Sequence, residues 1–484
     1  MEIAGRIRAG QVTSREVTED LLARIAADDR VNAVVETRAE YALQAADAAD
    51  AALATARRTR AGASGATGAG ATGGNRFGAG ATGGDGVRAG SAGGDGSRAG
   101  SAGGGGFGGL FGVPVTVKEC FNVAGMRTTW GNPEWASYVA ERDARVVERL
   151  GRAGAIVVGK SNVHNMLADF GQTSNEIYGR TNNPADLSRT PGGSSGGGAA
   201  ALAAGLSYLE YGSDLAGSIR LPAAYCGVYG LKPTTGLVPM DGFQVPGPPE
   251  LPNEFPNVST IGPLARSAAD LRTALRATAG PEAPYSWALS PSRRERLADF
   301  RVGVVADHPA AAVSSEVGDV LSDTIDRLAR SGAKIVEGWP DGVDPVDQAE
   351  AFGAQVELFF ALQGGSPSSA TLAEVIEEER RRMAARMRWQ RYFEDVDVFL
   401  CPTSFTAAFP HDDRPFEERT ITTSYGEQRY DAQVFWISHA SLTGNPALSM
   451  PIGQTPDGLP VGAQVIGPWH EDDTAITFAE LLAG

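Results

Sequence analysis

Cysteine is scarce in this chain. Its 484 residues include three, at positions 120, 226 and 401. An odd number, far apart and with no Cys-x-x-Cys, excludes a disulfide framework and a zinc knuckle. It fits a reducing cytoplasm. Long apolar runs are missing as well. No stretch approaches the ~20 residues that a membrane span requires, because Gly and charged residues interrupt the Ala-rich segments. The first residues, Met-Glu-Ile-Ala-Gly-Arg-Ile-Arg, contain no apolar signal core. A soluble, cytoplasmic protein without a membrane partner is expected. Positive charge is also in deficit: 42 Lys and Arg face 58 Asp and Glu, a net charge of −16. Phosphate binding needs a basic face, so nucleic acid is excluded as a partner. Of the five histidines, His164 sits at a helix start. His411 lies beside Asp412 and Asp413 without metal-ligand spacing, so no metal site is expected.

Glycine, in contrast, is abundant, with 62 residues. Much of it falls in residues 60–109, where a ten-residue unit recurs over 68–77, 78–87, 88–97 and 98–107. Its Gly, Ala and Ser content buries too little apolar surface to offset the entropy of ordering. The composition predicts a disordered insertion, which is tolerable because loop-closure cost grows only logarithmically with length. No Gly-Lys-Ser/Thr follows, which argues against a phosphate loop.

Outside this segment the chain reads as alternating helix and strand. Thr13 and Glu16 form a capping-box pattern ahead of Val17, Leu21, Leu22 and Ile25, predicting a helix over 11–29. An Ala-rich helix follows over 37–57. Strands are expected at 113–117, 156–158, 208–211, 302–305, 334–336, 396–400, 447–452 and 460–466. Between and around them helices are expected over 143–153, after a Ser161 cap, and over 196–204, 317–330, 372–392 and 474–482. Length alone allows one large domain or two. The alternation indicates an α/β fold around a central sheet, without fixing strand order.

Three positions carry the chemical information: Lys118, Ser194 and Ser218. A serine is a poor nucleophile until a base takes its proton, and a lysine held neutral can do so. Lys118 ends an apolar strand. If buried, its pKa falls and it becomes a base; if solvated, it is an ordinary surface lysine. Ser194 lies in Gly192-Gly-Ser-Ser-Gly-Gly-Gly198, which runs into Ala199–Ala204. A Gly-rich loop opening a helix offers several N–H donors and a positive dipole end. Gly192, Ser194 and Gly196 also match the Gly-x-Ser-x-Gly elbow, but that motif needs a strand before the serine, and 183–191 reads as loop. Ser218 follows Leu215-Ala-Gly, a turn of consecutive N–H groups suited to an oxyanion.

The order of these elements resembles the amidase signature family of Ser–Ser–Lys hydrolases. The likeness runs through 112–118, 159–162, 178–184, 189–197, 212–222, 226–234, 262–266 and 458–464. It implies a single α/β domain over 1–484, with a mixed, twisted central sheet flanked by helices. It implies amide, sometimes ester, hydrolysis without metal or cofactor. Carried over, Ser218 is the nucleophile and Ser194 bridges it to the base Lys118 through a cis Gly193–Ser194 peptide. The N–H groups of Leu215, Ala216, Gly217 and Ser218 hold the oxyanion, and Ser195, Asp214 and Arg220 fix the loops. The chain departs from the family pattern at Ala216, commonly Gly, and at Leu215, commonly Thr or Ile. It departs also at Glu119, commonly Asp, and in the insertion. An alanine that resists positive φ could alter the oxyanion site.

Pocket residues are expected at Trp130, Met166, Phe170, Gly193 and Phe243, with the stretch 241–255 adding apolar and aromatic groups such as Phe255. Their character suggests an aryl or alkyl acyl group, with ordinary packing as the alternative. The expected partner is a small-molecule amide, and a homodimer stays open. Two rivals remain: the glutaminase component of a glutamyl/aspartyl-tRNA amidotransferase (its A chain), and a non-catalytic scaffold with a Gly-rich arm.

Overall fold

The computed structural model describes residues 2–66, 107–246, 258–281, 285–362 and 369–484. The ten-residue repeats up to 106, and Phe255 with most of the stretch expected beside it, lie outside the described residues.

The apolar runs do form a sheet, of eleven strands. In chain order they are β1 (Val34–Thr37), β2 (Pro114–Lys118), β3 (Ile156–Ser161), β4 (Glu210–Asp214), β5 (Tyr229–Lys232) and β6 (Thr260–Ala265). The rest are β7 (Arg301–Val304), β8 (Lys334–Glu337), β9 (Val398–Pro402), β10 (Ala447–Gln454) and β11 (Pro460–Ile466). Across the sheet the order is β1-β3-β2-β4-β6-β5-β10-β11-β9-β7-β8. The contacts β3–β2–β4 and β9–β7–β8 are parallel and the others antiparallel. The sheet is therefore mixed, with helices packed on it in a single α/β domain.

The central strands are buried along their whole length, β2, β3, β4, β6, β9 and β11 without a break. Such strands read as apolar runs, and the polar residues among them must find partners inside. The capping box forms as expected: Thr13 N–H donates to Glu16 Oε2 (2.8 Å) and Glu16 N–H to Thr13 Oγ1 (3.0 Å). The helix behind it spans Ser14–Ala27, and the next spans Ala39–Ala66, longer than its apolar pattern indicates. Ser161 caps no helix. It closes β3, and its hydroxyl turns inward to Glu210. Strands β1, β5 and β6 and the helix Pro345–Leu362 are additions to the pattern read from the sequence.

Helix Gly196–Ala203 lies flat on this sheet. A Cβ at Gly197 would collide with the backbone of Asn162, and one at Gly198 with the side chain of Glu210. Glycine is required there for close approach rather than for turning.

Candidate active site

Lys118 closes β2 and is fully buried. Its Nζ lies 2.8 Å from Ser194 Oγ and 3.0 Å from Ser213 Oγ. Burial pushes the amine down to about 8, against smaller opposing effects of Cys120, Asp214 and Glu210. The solvated reading of this lysine is thereby excluded. Ser213 stands in β4 and escapes sequence reasoning. Only its place beside Asp214, ahead of the Gly-Ser turn, hints at it.

Ser194 follows a cis peptide bond from Gly193. The loop is clamped from outside: Gly193 N–H donates to Phe170 O (2.8 Å), and Thr173 Oγ1 donates to Gly192 O (2.8 Å). Ser195 N–H donates to Ser218 O (3.2 Å), tying the two serine loops together.

The turn carrying Ser218 is built around one carboxylate. Asp214 accepts from the N–H groups of Gly217 (3.0 Å) and Ile219 (3.1 Å), and from Arg220 Nε (3.0 Å) and Nη2 (2.8 Å). Burial alone would raise its pKa. The Arg220 guanidinium and these hydrogen bonds outweigh burial and hold the carboxyl below its ordinary value. Arg220 also donates to Ile437 O (2.8 Å), Gln464 Oε1 (2.6 Å) and Ser441 Oγ (2.7 Å), all buried. The positive φ of the turn, +87°, falls on Gly217 and not on Ala216, so the alanine requires no strained conformation. Gly217, expected among the oxyanion donors, directs its N–H to Asp214. Glu119, one methylene longer than Asp, accepts from the N–H groups of Thr129 (2.6 Å) and Trp130 (2.9 Å).

Leu215, Ala216 and Ser218 line a cavity of about 670 Å³. Its walls are mostly apolar: Leu167 and Phe170, then Phe352, Val356 and Phe360 from helix Pro345–Leu362, and Phe416, Val434 and Phe435. Among the five expected pocket residues, Phe170 alone lines it. Trp130 and Phe243 are buried against each other, ring centroids 5.0 Å apart, and Phe243 also meets Phe121. Met166 packs on the same core cluster, and Gly193 is fixed behind Phe170. Sequence reasoning missed the helix wall, whose apolar residues carry no local sign of which side is hollow. Two guanidiniums lie near this cavity, each on a carboxylate: Arg419 on Asp169 (2.5 Å) and Arg429 on Asp431. Asp169 also accepts from Tyr430 Oη (2.8 Å).

A family profile described as Amidase matches residues 94–349 and 340–476. The chain is 32% identical over 427 residues to the A component of a glutamyl-tRNA(Gln) amidotransferase from Acaryochloris marina, covering 76% of this chain and 83% of that one. It is 33% identical over 391 residues to an acylamidase from Rhodococcus erythropolis, covering 75% and 79%. Among solved structures it is similar to a chain from a vestigial protein complex bearing on the origins of an s-triazine catabolic enzyme. That likeness has a TM-score of 0.76 at 26% identity and covers 100% of this chain and 97% of the other.

Proposed function

The chain belongs to the amidase family, and from that premise we propose that it is a C–N amide hydrolase working through an acyl-enzyme on Ser218. The observation that carries this reading is the buried Lys118 amine within hydrogen-bond distance of Ser194, in a loop tied to that of Ser218. Neutral Lys118 takes the Ser194 proton while Ser194 takes that of Ser218, whose Oγ attacks the substrate carbonyl. Oxyanion stabilisation falls to the N–H groups of Leu215, Ala216 and Ser218. The reverse path protonates the leaving amine, and water then hydrolyses the ester with Lys118 again as base. Ser213 holds the lysine from its other side.

The apolar cavity supports an aryl or alkyl group on the substrate. The glutaminase reading needs a group to hold the substrate carboxylate, and the Arg419 and Arg429 guanidiniums each pair with an acid in this structure. We read 1–484 as one amidase domain with residues 60–109 as an insertion within it. A reducing, cytoplasmic setting is supported by three buried cysteines without a disulfide. No helix among the described residues is long and apolar enough to cross a membrane.

The test is labelling with a fluorophosphonate probe followed by peptide mapping. We expect the adduct on Ser218, and its loss in Ser194→Ala. An adduct on Ser194, or none on folded protein, would overturn the assignment. A second expectation concerns the cavity wall. Gly353 lines it, and a Cβ there meets nothing within 4 Å. Gly353→Phe should lower kcat/KM for an aryl amide by about tenfold or more. A small aliphatic amide should be spared, as steady-state rates on the matched pair will report.

A further inference from the structure

Glu210 is fully buried in β4, and the mechanism above does not use it. Sheet register pairs it with Thr116, and Lys118 with Ser161. Alternation along β2 then puts Thr116, Lys118, Ser161 and Glu210 on one face of the sheet. The Glu210 carboxyl therefore shares that face with Lys118, and Gly198 packs against its side chain.

Its hydrogen bonds reveal its proton. Ser161 Oγ is 2.6 Å from Glu210 Oε1. Glu210 Oε2 contacts Thr116 Oγ1, which lies 2.8 Å from Ser207 Oγ. Ser207 Oγ in turn is 2.7 Å from Leu209 O. A carbonyl oxygen only accepts, so the Ser207 proton points to Leu209. Ser207 Oγ accepts from the Thr116 N–H (3.3 Å), and its contact with Thr116 Oγ1 then uses the Thr116 hydroxyl proton. The Glu210–Thr116 contact is left needing a proton that only the carboxyl can supply.

We propose that Glu210 is a positioning residue for Lys118: a neutral carboxylic acid, locked by the Ser161, Thr116 and Ser207 hydroxyls, that denies the amine a counter-ion. An ionised carboxylate there would favour the ammonium and silence the base. The other titratable neighbours of Lys118 are Cys120 and Asp214, and Asp214 is neutralised by Arg220. Burial raises the Glu210 carboxyl to about 7, against the opposing hydrogen bonds of Ser161 and Thr116 and the charge of Lys118. The inference rests on Lys118 being the base.

Infrared difference spectroscopy on the full chain, with a pH–rate profile, tests it. Wild type at about pH 8, where the Lys118 amine loses its proton, should show the carbonyl stretch of a protonated carboxylic acid that Glu210→Gln lacks. Ser161→Ala, which removes the donor to that carbonyl, should shift the band. It serves as the second variant should Glu210→Gln fold poorly. Glu210→Ala should lower kcat/KM at least tenfold, and the neutral, equally shaped Glu210→Gln should rescue it with the acid limb unmoved. Absence of the band in wild type, or an acid limb displaced downward by a pH unit or more in Glu210→Gln, would overturn the proposal. Fluorophosphonate labelling of Ser218 in the same variants shows separately whether the acyl-enzyme reading stands.

Discussion

Lys118→Met is expected to lower kcat/KM for amide hydrolysis by about 10²–10⁴-fold, the range for losing a general base. The change should lie in kcat, because the amine contacts Ser194 and Ser213 rather than the cavity. The fold should survive, since methionine has a similar shape and introduces no buried charge. In the wild type, the amine is active when deprotonated. With its pKa lowered from 10.5 to about 8, kcat/KM should rise with pH through about 8 and then level off. Stopped-time assays across pH 6–10 on both proteins, with melting curves for each, check this. Activity within tenfold of wild type in a folded Lys118→Met would mean that another group takes the serine proton.

Arg220→Met should produce the largest loss of stability. Arg220 and Asp214 form an ion pair with both side chains fully buried. Removing one partner of such a pair leaves a charge without compensation and costs about 3–5 kcal/mol. Here the acceptors of Ile437, Gln464 and Ser441 lose their donor as well. Denaturant midpoints measure the effect. Because Asp214 also gathers the N–H groups of Gly217 and Ile219, activity should fall even under conditions where the variant stays folded. A variant with wild-type midpoint and rate would show that the pair is dispensable.

How far the sequence reveals this site depends on how local each signal is. Lys118, Ser194 and Ser218 stand out because their short Gly-rich or strand-end settings occur together in the order of the family; each setting alone has an ordinary structural reading. Asp214 and Arg220, which flank one turn, enter only through the resemblance to the family. Ser213 and Glu210 are not legible. Their partners, Lys118, Thr116 and Ser161, come from other strands, and only sheet register brings them together. The cavity is harder still. Phe352, Val356 and Phe360 line it, while Trp130 and Phe243, equally aromatic, fill the core. Composition does not distinguish a wall from a filling. The fold class follows from the alternation of helix and strand, although β1, β5 and β6 escape it.

The three glycines that open helix Gly196–Ala203 have a consequence for how the site comes to be ordered. Each weakens the helix by about 1 kcal/mol relative to alanine, so the segment holds little helical structure of its own. Its order comes from lying against Asn162 and Glu210 on a sheet assembled from distant parts of the chain. The Ser194 loop therefore acquires its shape only once β2, β3 and β4 have come together, and an isolated fragment of this motif would be unstructured and inert. The usual stabilising exchange of helical glycine for alanine is closed at Gly197 and Gly198, because the added methyl group would lift the helix from the surface that orders it.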